Sequence, residues 1–134
     1  MRRAFTDVEE GDELAVAEIE LTADQIREYA RAAGMWAPRF TDDDAARREG
    51  LPGMIAPGNL SMGLLGELVE RWAGVGGLRR LGTTFRGVVR PGRFRLCGAV
   101  TERNETSRTV ELDLWLENED GERSVIGTAT VALA

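Results

Sequence analysis

Apolar residues recur at every second position in the last third of the chain. The apolar sets are Phe94, Leu96, Gly98 and Val100 in one segment, and Val110, Leu112, Leu114 and Leu116 in another. This period is typical of strands buried on one face. Turn signals at Arg90–Gly92, Asn104–Glu105 and Asn118–Gly121 separate the segments. The pattern predicts about four antiparallel strands here. Trp115 is an aromatic residue at a position of β-alternation that should be polar, on the outer face. It either marks a contact surface or lies flat over neighbouring side chains.

Helix signals dominate the region before these strands. An extended segment around Leu14–Leu21 is followed by Thr22-Ala23-Asp24-Gln25, a capping box that predicts the start of a helix ending at Gly34. A short second helix is predicted from Thr41 to Gly50. Asp42, Asp43 and Asp44 then place negative charge at the positive end of its dipole, which explains them better than a metal site does.

The longest predicted helix covers Leu60–Ala73 and is entered through Pro57-Gly58-Asn59. Its apolar face consists of Leu64, Leu65, Leu68, Val69 and Trp72, and at ~1.5 Å per residue it is about 21 Å long. One apolar helix and one apolar sheet face pack most economically when a curved antiparallel sheet wraps around the central helix. We therefore predict a single α+β domain over residues 1–134.

Composition and charge exclude several functions. The 17 basic residues are all Arg, and with 23 acidic residues the net charge is −6, so no nucleic-acid partner is expected. The pairs Arg2–Arg3, Arg47–Arg48 and Arg79–Arg80 are interpreted as solvated surface. The absence of His and the single Cys97 remove an internal disulfide, the usual zinc site and Ser-His or Cys-His nucleophiles. Neither a metal nor a cofactor is predicted.

No segment of the sequence is typical of a membrane protein or a secreted one. The first seven residues become acidic before any apolar run, and no stretch approaches the ~20 apolar residues needed to span a bilayer. We expect no membrane association and, by default, a cytoplasmic location.

Several local sequences resemble the MaoC-like hydratase/dehydratase family, which has the hotdog fold. They are Phe5–Asp12, the helix end at Ala33-Gly34, Gly50–Gly58 with Leu60–Leu65, Phe85–Gly92, and Gly127–Val131. The resemblance covers nearly the whole chain. It implies a central helix wrapped by a sheet, and a pocket between two subunits for an acyl thioester, linked to CoA or to a carrier protein.

The resemblance fails at the residues that perform the chemistry. The family adds or removes water with an Asp and a His on a loop of outline Gly-Asp-x-Asn-Pro-x-His-x-Asp, which corresponds here to Gly34–Asp42. Met35 stands at the position of the acid, Ala37 at that of the Asn and Phe40 at that of the His. A further His, common before the central helix, is replaced by Pro57. Because Met, Ala and Phe exchange no proton, hydration by the family's route is predicted to be absent.

What remains is a predicted binding site. The family's pocket lies at this loop and at the start of the central helix, where the Gly58 N–H can polarise a thioester carbonyl. The substrate-binding candidates are Met35, Trp36, Arg39, Phe40, Pro57, Gly58, Asn59 and Ser61.

Each candidate also has a plainer interpretation. Met35 and Phe40 either line the pocket or fill the core, and Trp36 is either lining or lid. Arg39 either pairs with an anionic ligand or faces solvent. Asn59 either orients a carbonyl or caps the helix. Asp42 is assigned to the helix start and is a weak candidate for a base. No other catalytic residue is assigned.

Three functions are compatible with the sequence. The first is a non-catalytic hotdog subunit of a hydratase or dehydratase assembly, paired with a subunit that carries the Asp and His. The second is an enzyme of secondary metabolism repurposed for cyclisation, isomerisation or elimination by enclosure and alignment. The third is a ligand-binding or regulatory protein without chemistry. A dimer with an identical or a different hotdog subunit is expected in each case, because strand edges would otherwise stay open.

Overall fold

The computed structural model describes residues 1–134 and contains three helices and five strands. In chain order these are β1 (Ala17–Leu21), α1 (Ala23–Ala32), α2 (Asp43–Arg48), α3 (Gly58–Ala73), β2 (Leu78–Phe85), β3 (Gly92–Asn104), β4 (Thr109–Glu117) and β5 (Arg123–Ala132). Single 3-10 turns cover Phe5–Asp7 and Pro38–Phe40. The predicted order of one strand, then helices, then four strands is confirmed.

Side-chain caps determine where the first two helices begin. The Thr22 hydroxyl accepts the Gln25 N–H at 3.1 Å, and the Gln25 side chain accepts the Thr22 N–H at 2.9 Å. This is the predicted capping box. Asp42 caps α2 by accepting the Asp44 N–H at 3.2 Å, so its predicted helix-start role is also confirmed.

The central helix begins two residues earlier than predicted. Pro57 is its N-cap residue, and Gly58 and Asn59 lie inside its first turn. The interpretation of Asn59 as the cap is therefore wrong. The ring of Pro57 fixes its φ at −59°, which suits the entry into a helix. Proline also has no backbone N–H, so it adds no donor that would need an acceptor at the helix start.

The five strands form one antiparallel sheet in the order β1-β3-β4-β5-β2. The sheet packs on α3, whose buried side includes Leu65, Leu68, Val69 and Ala73. The predicted alternation is confirmed in β4, where Val110, Leu112, Leu114 and Leu116 are all buried. β1 and β2 are the edge strands, and each is paired with another strand on one side only.

The outer face of the sheet carries Trp115 opposite Cys97 on β3. The Arg123 guanidinium lies 4.0 Å from the centre of the Trp115 ring, which favours the second interpretation of that residue. Cys97 is only 7% exposed although it belongs to the outer face. Burial raises the pKa of its thiol.

None of the three helices combines the length and the hydropathy required to cross a membrane.

Candidate functional site

Three chain segments meet at the start of α3. The Ile55 N–H donates to the Arg39 carbonyl at 3.0 Å, which joins the loop Gly34–Asp42 to the segment before α3. The Ala56 N–H donates to the Val89 carbonyl at 2.7 Å, which joins that segment to the loop after β2. The structure therefore brings together the loop and the helix start that the sequence predicts to form one site.

The loop presents apolar side chains at the two positions that the resemblance assigns to an acid and a base. Met35 and Phe40 are both half-buried, and the Met35 N–H is held by the Ala30 carbonyl at 2.8 Å. Trp36 is 72% exposed. In the isolated chain, Trp36 thus lies on the surface, while Met35 and Phe40 are partly covered.

Arg39 is engaged within the chain. Its guanidinium makes two hydrogen bonds to the Glu49 carboxylate, at 3.1 and 3.2 Å, and lies 5.6 Å from the centre of the Phe40 ring. Both side chains of this ion pair are partly exposed, so solvent screens it. An anionic ligand would have to compete with Glu49 for this guanidinium.

The carboxylates nearest the loop already have structural roles. Asp42 caps α2. Asp43 accepts the Met54 N–H at 2.9 Å and lies 3.5 Å from the Arg90 guanidinium. Chiefly because of the hydrogen bond from Met54, the pKa of Asp43 lies below its ordinary value. A carboxyl with a lowered pKa stays ionised at neutral pH and is a poor proton donor.

The first turn of α3 offers unused hydrogen-bond donors. Its cap residue, Pro57, is buried and supplies no side-chain bond, and the Gly58 and Asn59 N–H groups have no acceptor within the chain. Asn59 itself is exposed. Such N–H groups, together with the helix dipole, favour an oxygen that carries negative charge.

Ser61 is the one buried polar side chain in this turn. It is 1% exposed, and its Oγ has no hydrogen-bond partner. Ser61 is the fourth residue of α3, and it lies in the same turn as the free Gly58 and Asn59 N–H groups. An unpaired buried hydroxyl is unfavourable by about 1–3 kcal/mol.

Phe85, the last residue of β2, is a neighbour of the site that the sequence analysis missed. A Cβ placed on Gly58 would lie 2.7 Å from the Phe85 Cζ, so the ring packs directly on the glycine. The ring is still 53% exposed. No local pattern could have revealed this contact, because 27 positions separate the two residues in the sequence. The exposed ring and the free N–H groups of the first turn of α3 therefore lie next to each other.

The best-defined surface grooves lie elsewhere. Two are on the outer face of the sheet, and the third lies at the end of α3 away from Gly58. None of them is lined by a candidate site residue. No group of three or more His, Cys, Asp or Glu side chains is placed to hold a metal ion.

Comparison with protein families agrees with this architecture. A family model described as a MaoC like domain matches residues 6–114. The chain belongs to the MaoC-like domain family. Among curated proteins, no sequence matches this MaoC-like chain significantly.

Solved structures show the same fold at low sequence identity. The R-hydratase PhaJ1 of Pseudomonas aeruginosa has a TM-score of 0.88 at 20% identity, covering 98% of this MaoC-like chain and 86% of that one. The ChsH1-ChsH2 complex of Mycobacterium tuberculosis has a TM-score of 0.86 at 19% identity, and the match covers 94% of this chain and 98% of that one. The HadBC complex of the same organism, a 3R-hydroxyacyl-ACP dehydratase, gives 0.73 at 21% identity, with coverages of 91% and 96%. The predicted α+β hotdog fold is confirmed.

Proposed function

We propose that this chain is a non-catalytic hotdog subunit of a hydratase or dehydratase assembly. It binds an acyl thioester in a pocket that it shares with a second hotdog subunit, and that subunit supplies the acid and the base. One observation carries the proposal. At the loop where the family places an Asp and a His, this chain places Met35 and Phe40, next to a helix start whose N–H groups are free.

The missing acid–base pair has no replacement close by. Hydration needs one group that takes a proton from water and another that delivers a proton to carbon, each contributing about 10²–10⁴-fold. Asp42 and Asp43 hold backbone N–H groups, and Glu49 holds Arg39. Using one of these carboxylates for proton transfer would break a bond that shapes the loop.

Binding depends on backbone groups and survives the substitutions. A thioester carbonyl directed at the start of α3 can accept from the Gly58 or Asn59 N–H, while Ser61 offers a buried hydroxyl. Met35, Phe40 and Phe85 present apolar surface for the acyl group, with Trp36 at its outer limit. Arg39 binds the ligand only if an anionic group of that ligand replaces the Glu49 carboxylate as the partner of the guanidinium.

The open edge of the sheet and the complexes formed by similar structures both support a second subunit. β2 is an edge strand, and it ends at Phe85 beside the candidate site. A partner strand added along β2 would cover the unpaired backbone groups and bring its own residues to Phe85. ChsH1-ChsH2 and HadBC, both similar in fold, are complexes by name.

The test compares the chain alone with the chain plus a hotdog subunit from its own source that carries an intact Asp and His loop. We expect the two to co-purify. We also expect the chain alone to bind crotonyl-CoA without hydrating it, and the pair to hydrate it. Hydration by the chain alone within about a hundredfold of ordinary enzymes would overturn the proposal.

The same experiment separates the other two functions. Turnover of a different acyl substrate by the chain alone would indicate a repurposed enzyme. Ligand binding by the chain, with no hotdog subunit that co-purifies and no turnover when one is added, would indicate a binding or regulatory protein.

A further inference from the structure

Arginines from two of the pairs seen in the sequence come together at the end of α3. The Arg2 Nη2 and the Arg79 Nη1 both donate to the Gly76 carbonyl, at 2.9 and 2.6 Å. The Arg3 Nε donates to the Trp72 carbonyl at 2.8 Å. They meet because the fold places the first residues of the chain against the turn between α3 and β2.

These three guanidinium groups form no ion pair with an Asp or Glu side chain. Arg2, Arg3 and Arg79 take part in none of the eight ion pairs of the structure. The C-terminal end of a helix supplies about half a negative charge, which three guanidinium groups exceed several-fold. Asp7 lines the same place but lies beyond ion-pair distance of all three. An excess of positive charge thus persists at one point of a chain whose net charge is −6.

Arg2 and Arg3 open onto a groove of about 440 Å³. Arg2, Arg3 and Arg71 line it together with Trp72. Arg71 is paired with Glu67 at 2.7 Å, so Arg2 and Arg3 supply the uncompensated charge. Each guanidinium has five N–H donors and uses only one of them in the hydrogen bonds described above.

We propose that this groove, which is lined by Arg2, Arg3 and Trp72 and has Arg79 beside it on the Gly76 carbonyl, binds the phosphate or diphosphate group of a small organic molecule. The planar guanidinium fork matches phosphate oxygens in a bidentate manner. The Trp72 ring, which already has the Arg3 guanidinium 5.0 Å from its centre, provides an apolar neighbour for the organic part.

A small phosphate fits the charges better than an acidic protein does. Charges farther away than a Debye length of about 8 Å are largely screened, so a small anion senses mainly the local arginines. An acidic polypeptide would also approach the rest of a chain with net charge −6 and would be repelled.

The groove is independent of the acyl site. The two places lie at opposite ends of the 16-residue helix α3, about 24 Å apart at ~1.5 Å per residue. Failure of either proposal leaves the other intact.

The experiment titrates untagged protein with inorganic pyrophosphate, ADP and coenzyme A at low salt and follows the indole N–H signal of Trp72 by NMR. We expect saturable shifts with pyrophosphate, and binding that weakens as salt is raised from about 20 to 150 mM. Stronger binding of ADP or coenzyme A than of pyrophosphate would identify a nucleotide as the source of the phosphate. Equal binding of all three would identify the phosphate group alone.

The double variant Arg2→Gln, Arg79→Gln should weaken pyrophosphate binding at least about tenfold, since each lost charge–phosphate contact reduces affinity. Arg48→Gln and Arg86→Gln are matched controls, because both residues are exposed and make no side-chain bond; they should change affinity less than about twofold. Arg2→Lys, Arg79→Lys keeps the charge but loses the planar fork, and its affinity should lie between those of the wild type and the Gln variant. The proposal is overturned by the absence of a saturable shift, by an equal loss in the controls, or by tighter binding of a hexaglutamate peptide than of pyrophosphate.

Discussion

The Asp43 Oδ1 accepts the backbone N–H of Met54 at 2.9 Å, so a side chain of α2 holds the segment that leads into α3. Arg90, from the loop after β2, lies 3.5 Å from the same oxygen and also donates to the Met54 carbonyl at 3.5 Å. The Met54 side chain is completely buried. One carboxylate therefore connects three segments beside the candidate site.

Asp43 predicts a specific dependence of stability on pH. Its pKa is lower in the folded state than in the unfolded state, chiefly because the carboxylate accepts the hydrogen bond from the Met54 N–H. The resulting stabilisation is present above the unfolded pKa of about 3.9 and is lost as pH falls through the lower folded value. We expect the difference in unfolding free energy between the wild type and Asp43→Asn to be constant near neutral pH and to shrink below about pH 4. Chemical unfolding at a series of pH values measures it, and a difference that grows in acid would contradict the assignment.

Ser61 predicts a substitution that stabilises the unliganded chain. Ser61→Ala removes a buried hydroxyl without a partner, and we expect a gain of about 0.5–1.5 kcal/mol in unfolding free energy. Asn59→Ala, at an exposed position of the same helical turn, is the control for helix propensity and should gain less. Denaturant titration measures both. A clear loss in Ser61→Ala would mean that the hydroxyl is hydrogen-bonded.

Gly58 and Phe85 should be energetically coupled. Replacing a helical Gly by Ala usually gains about 0.4–1 kcal/mol. At Gly58 the added Cβ meets the Phe85 ring at 2.7 Å, so Gly58→Ala should gain nothing in the wild type and should gain that amount in a Phe85→Ala background. A double-mutant cycle of unfolding free energies measures the coupling. Additive effects would show that the ring does not rest on Gly58.

The loop substitutions predict a gain of function. Met35→Asp with Phe40→His introduces the two proton-transfer groups that the resemblance implies, and we expect hydration of crotonyl-CoA to rise at least about tenfold above background, well short of the 10²–10⁴-fold that each group can supply. The control Met35→Asn, Phe40→Gln adds polarity without an acid or a base and should stay at background. If the Asp/His variant is folded and binds crotonyl-CoA but does not hydrate it, the loop does not face the ligand.

Features encoded by neighbouring residues were predictable from the sequence. The Thr22–Gln25 capping box, the Asp42 cap and the alternation in β4 each depend on residues a few positions apart. The start of α3 was misplaced because Asn59 is a favoured cap residue, whereas the cap here is Pro57, whose ring imposes the backbone angle.

Contacts between distant segments were not predictable. Phe85 reaches Gly58, Asp43 reaches Met54, and Arg79 shares the Gly76 carbonyl with Arg2 only once the strands have paired. Each of these contacts depends on how loops are placed by the sheet, and a periodicity along one segment carries no information about that placement. The chemical character of the loop, in contrast, was evident from Met35 and Phe40 alone.

Cys97 gives this chain an internal reporter of local opening. It is the only thiol, it lies within the strand β3, and burial makes its reactive thiolate scarce. Alkylation of the native protein should therefore be slower than alkylation of the unfolded chain, and its rate should depend on how often the covering of Cys97 opens. Mass spectrometry would measure the rate of this single modification without any engineered label. It would also show whether ligands or partner subunits lower that rate.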